Sequence, residues 1–75
     1  MTPAEATFLM NSALIAAEGK KQAAFEAAKG LPMPAHQAAI RQAERQYCLD
    51  LAAAADQTGG LVDAKFYHSS ARWHE

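Results

Sequence analysis

The side chains best suited to chemistry in this chain are three histidines, one cysteine, a pair of arginines and a cluster of aromatics near the end. His36, His68 and His74 are the candidate metal ligands. His68 and His74 are six apart, which is not the i, i+4 spacing that places two imidazoles on one helical face, and no Glu-x-x-His pair accompanies them. No metal and no cofactor are therefore expected. Cys48 is the single cysteine, which rules out an intrachain disulfide and a tetrathiolate zinc site. As a nucleophile it lacks a base at any definable distance, and a lone helical cysteine beside a core behaves as a small hydrophobe. The glutamates are scattered, with no inward-facing carboxylate pair for general acid/base work. The chain reads as a non-enzyme.

Two binding chemistries remain. Arg41 and Arg45 share a helical face and could contact phosphates, which is the nucleic-acid alternative. Against it, seven Lys and Arg balance eight Asp and Glu, for a net charge of -1 with neither sign concentrated. Nucleic acid is thus the less favoured partner. Phe66, Tyr67, Arg72 and Trp73 have the composition of a protein-interface anchor, since aromatics and arginine dominate binding hot spots. Phe8 and Ile15 add exposed apolar candidates on the first helix. The competing role for Phe66 and Trp73 is to cap the hydrophobic core.

The elements that must position these residues are helices. Thr2-Pro3-Ala4-Glu5 carries an N-cap hydroxyl, proline at N1 and glutamate at N3, the two halves of a capping box. Helical patterning runs over residues 3–29, with Gly30 suited to a left-handed C′ position. Gly19 is the only breaker inside and costs about 1 kcal/mol relative to alanine, so it marks a close approach or a bend. Residues 30–33 form a stiff turn, and Pro34 serves as N1 of a second helix over 34–57. A linker this short between two long helices implies an antiparallel hairpin. Thr58-Gly59-Gly60 stops the second helix. The segment 61–75 is read as a short third helix begun near Asp63, or else as a partly ordered tail.

Hydrophobic residues make up 51% of the 75, but 19 of them are alanine. Alanine favours helix and adds little burial, so a monomer has a thin core and needs an aid to stability. With disulfides excluded, self-association or docking on a larger protein is expected. Ala6, Met10, Ala13, Ala17, Lys20, Ala24 and Ala27 recur at steps of four and three on the first helix. His36, Ile40, Ala43, Tyr47, Asp50 or Leu51, and Ala54 do so on the second. Folding about Leu31 and Pro32 pairs residues whose numbers sum to about 64. Ile40 is then expected opposite Ala24, Tyr47 opposite Ala17, and Lys20 opposite Ala43 with its ammonium reaching Glu44. The remaining apolar surface is covered by the third segment folding back over Phe8 and Ile15, by a two-fold dimer that forms a helical bundle, or by both.

The expectation for the whole is an all-α single domain, a hairpin of two alanine-rich helices that pairs into a homodimer. Its expected role is a protein-binding module, a steric inhibitor or adaptor of a larger protein in the cytoplasm. The apolar run Ala13–Ala17 is far short of a spanning helix or a signal-peptide core, so neither is expected. In size and helicity alone the chain is similar to short phage-encoded proteins that bind host machinery, which makes a phage or mobile element its expected origin.

Overall fold

A computed structural model describes residues 1–74. It is all-helical, with α1 spanning Pro3–Ala28, α2 Met33–Asp56 and α3 Ala64–Arg72. The capping box forms as the sequence implies. The Thr2 hydroxyl accepts from the Glu5 amide at 3.1 Å, and the Glu5 carboxylate accepts from the Thr2 amide at 3.0 Å. The α1–α2 turn differs in detail from the expectation. Pro32 is the N-cap of α2, which sets Pro34 one position deeper, at N2. Gly30 is not left-handed, because the end of α1 tightens through Lys29 N–H to Glu26 and Leu31 N–H to Ala28. The left-handed glycines are Gly59 and Gly60, with φ of 65° and 98°, where side chains are disfavoured.

Helices α1 and α2 pack along their length as a hairpin. His36 Nδ1 lies 2.7 Å from the Ala28 carbonyl and closes the turn end. A carbonyl only accepts, so that ring nitrogen carries the hydrogen. Further along, Ala17, Lys20, Ala43 and Tyr47 line one small cleft, as the summed register requires. One detail of that register is corrected. The Lys20 ammonium reaches Asp50 at 3.6 Å rather than Glu44, because Asp50 stands two turns beyond Ala43 on the same seam side of α2. Over Tyr47 lies Lys21, 4.1 Å from the ring centroid, an arrangement that holds the ammonium by the ring's electron-rich face.

The third helix does not fold back over Phe8 and Ile15. It packs on α2 alone, and no Cα of α3 comes within 8 Å of one in α1. The joint is set by Thr58, whose buried hydroxyl donates to the Ala55 carbonyl at 2.7 Å and accepts from the Val62 amide at 3.1 Å. Asp63 then caps α3 by accepting from the Lys65 amide. The physical reason for the placement is the alanine run at the end of α2. Ala52 and Ala55 are buried and project to a different side from Ala43 and Ala54, so α2 offers a second smooth groove. Ala71 of α3 is buried as well.

The result is one layer of helices in the order α1, α2, α3. The Cα extents are 46 × 21 × 10 Å. Two stacked helix layers need roughly 13–15 Å of depth, from axes 8–10 Å apart and a Cα radius near 2.3 Å. A depth of 10 Å holds a single, slightly curved layer. Its core is almost entirely alanine, with Leu51 as the one large buried hydrophobe.

Candidate interaction surface

Large apolar side chains sit where the layer ends. On α1, Ala6, Ala17 and Ala28 form the buried line against α2. Phe8 and Ile15 are seven apart and lie about half a turn away from that line. They point off the outer edge and are 74% and 75% exposed. On the other side, Ala64 and Ala71 face α2, and Phe66 and Trp73 are again seven apart and about half a turn away. Phe66 is 65% exposed and Trp73 86%. Both edges thus carry an exposed i, i+7 apolar pair, and both helices give α2 their alanines.

Of the six residues expected to bind a partner, Phe8 and Ile15 mark one edge and Phe66 and Trp73 the other, whereas Tyr67, one turn before Ala71, lies on the side of α3 that faces α2. Phe8 and Ile15 stand on α1; Phe66, Tyr67, Arg72 and Trp73 stand on α3 or its C-cap. Tyr67 is half-buried and meets Phe66 edge-to-face at 5.3 Å between ring centroids. That contact fixes both rings and lowers the entropy lost if either meets a partner. Arg72 is exposed in the last turn of α3, where a cation complements the helix dipole.

Between the two sides of α2 runs an open groove of about 610 Å³, lined by Met33, His36, Ile40, Arg41, Glu44 and Trp73 among others. Its floor comes from the first turns of α2 and its rim from the end of α3, so no local spacing in the sequence announces it. His74 closes one side by pairing with Glu44, Nδ1 to Oε2 at 3.2 Å. His68 makes the matching contact further up, 3.1 Å from Asp56. These two histidine–carboxylate pairs tie α3 to α2, a role that their spacing within the tail gave no hint of. Both pairs are substantially open to solvent, which keeps their contribution small.

The residues suited to catalysis or metal binding are otherwise occupied. Among the described residues, no three of His, Cys, Asp and Glu converge on a point. Burial, with help from Glu44, pushes the Cys48 thiol up from its ordinary range, opposite to the direction that activates a nucleophile. Burial likewise raises Tyr47, aided by the Glu18 carboxylate that accepts its hydrogen bond. Arg41 is exposed and Arg45 half-buried, and they flank a shallow depression with Ala38, Gln42 and His74. Of the two, only Arg41 stands free of burial for a phosphate contact. No described helix is long and apolar enough to cross a membrane. Comparison of the chain with protein-family models, with curated proteins and with solved structures finds no match in any of the three.

Proposed function

We propose that this chain is a small, non-enzymatic protein-binding module of the cytoplasm, self-associating, that acts sterically as an inhibitor or adaptor of a larger protein. The observation that carries this is the inverted distribution of sizes. Alanines fill the seams, and Phe8, Ile15, Phe66 and Trp73 stand exposed at the two edges. Exposed large hydrophobics grouped in this way mark contact surfaces, whereas scattered single ones are ordinary. The helices are preformed and capped, so binding costs little ordering and modest contacts suffice. The α3 edge is the stronger candidate for a foreign partner, because Phe66, Arg72 and Trp73 stand exposed on one short helix and its C-cap, with Tyr67 packed against Phe66.

Affinity capture from host extract with the native chain and with Trp73→Ala tests the proposal. A protein retained by the first and lost by the second, at unchanged helicity, supports it. Retention that survives the loss of both Phe66 and Trp73 contradicts the assignment of that edge. Binding to mixed DNA or RNA that weakens steeply with salt would instead move the function to the Arg41 and Arg45 strip.

A further inference from the structure

We infer that the groove between the first turns of α2 and the end of α3 takes an acidic segment of a partner protein, one that sets a carboxylate beside large apolar side chains. The inference rests on the protein-binding reading and names the chemistry of what is bound.

Charge carries it first. Among the described residues every Asp and Glu side chain is already engaged. Glu5 closes the capping box, Glu18, Glu26 and Asp50 pair with lysines, Glu44 and Asp56 pair with histidines, and Asp63 caps α3. The side chains of Arg41, Lys65 and Arg72 have no partner among them. The side-chain charges left over are thus cations, although the chain as a whole carries -1. Arg41 is the one of the three that lines the groove, and it is exposed there. The other ionisable groups of the groove are taken, His36 by the Ala28 carbonyl, and His74 and Glu44 by each other. An incoming charge therefore meets one free guanidinium, whose planar fork matches a carboxylate.

Shape carries it second. Beside Arg41 stand Met33, 63% exposed, the half-buried Ile40, and Trp73, 86% exposed. They make an apolar wall next to the cation, and the matching ligand sets an apolar group next to an anion. From Met33 to Glu44 the groove follows α2 for roughly 17 Å, the reach of about five extended residues or three helical turns. Sites for small molecules enclose most of their ligand, and this groove is open to solvent. A chain segment laid across α2 and α3 fits it better. A nucleic acid fits it worse, because its phosphates call for a track of cations, and here Glu44 lies in the groove with a single free arginine.

Selection from a displayed library of short random peptides against the native chain is the test. Selected peptides are then synthesised and titrated while the emission of Trp73 is followed, since the only tryptophan stands in the groove wall. The selected sequences should set Asp or Glu beside large apolar residues, shift the Trp73 emission and bind more weakly as salt rises. Arg41→Glu should weaken them roughly 10-fold or more and, put through a fresh selection, should favour Lys and Arg in place of the acids. Arg41 is exposed and without a partner among the described residues, so helicity should stay at the native level. Lys65→Glu changes the net charge by the same amount outside the groove and should bind as the native chain does. An empty selection, selected peptides without acids, or equal binding by Arg41→Glu overturns the inference. So does displacement of the selected peptides by mixed single-stranded RNA, which would give the groove to a polyanion. In each of these cases a host protein captured by the native chain and lost with Trp73→Ala would leave the protein-binding reading standing, so the two failures are told apart.

Discussion

The two sides of α2 and the two outer edges of the layer use opposite chemistry. Along α2, contact is made by Ala17, Ala28, Ala43, Ala52, Ala54, Ala55 and Ala71, all buried. At the edges stand Phe8, Ile15, Phe66 and Trp73, all more than half exposed. A chain whose stability depended on its own core would place these the other way round, because a buried phenylalanine contributes several times what a buried alanine does. The arrangement teaches that the alanine seams set geometry, bringing helices close and holding them in one layer. The large residues stand exposed at the edges, where the proposed function uses them for contacts outside the chain.

That contrast can be broken most severely from the inside. Ala52 is fully buried between α2 and α3, and Ala17 is 2% exposed opposite Tyr47. Ala52→Leu or Ala17→Leu should destabilise the fold by roughly 1–3 kcal/mol through overpacking, read by urea denaturation. A neutral Ala17→Leu would contradict the α1–α2 register. His36→Ala should cost about 1 kcal/mol, because it leaves the Ala28 carbonyl without its side-chain donor. Thr2→Ala should cost a similar amount, about 1 kcal/mol, through loss of the N-cap, in thermal melts. At the edges the expectation reverses. For the isolated chain, Trp73→Ala should change stability by no more than about 0.5 kcal/mol.

The smallest effect is a pH dependence at the α1 terminus. Hydrogen bonds from the Thr2 backbone and side chain hold Glu5 below the usual carboxylate range. A depressed folded pKa adds stability above the unfolded value, and this is lost as pH falls through the folded one. Glu5→Gln should therefore lower stability slightly near neutrality and flatten the curve on the acid side, where the two chains converge. Equal acid sensitivity in both chains would remove Glu5 from the account.

Much of the fold was legible because its signals are local. Thr2, Pro3 and Glu5 announce the start of α1, the residues around Pro32 and Pro34 announce the turn, and Thr58-Gly59-Gly60 the end of α2. The a/d steps gave the seam side for most of both helices, with Ala28 buried in place of Ala27 at the end of α1. The place of α3 was hidden for a physical reason. Ala52, Ala53, Ala54 and Ala55 occupy every direction around the helix with the same side chain, so no periodicity tells which groove receives a partner. Of the four, Ala53 alone is exposed. The ties of His68 to Asp56 and of His74 to Glu44 cross between helices, and spacing within one helix carries no trace of them. By type alone Phe66 and Trp73 suit an interface and the capping of a core equally well. On α3 and at its C-cap respectively, they are left exposed and cap no core.

Trp73 is the chain's only tryptophan, so its fluorescence reports on one edge without labelling. The claim that large apolar residues are held out of the core is tested most directly by iodide or acrylamide quenching of this residue in the folded chain. With Trp73 86% exposed, quenching and emission should approach those of the chain in denaturant. A blue-shifted, protected tryptophan in the isolated chain would contradict the account, because it would place that edge inside a core.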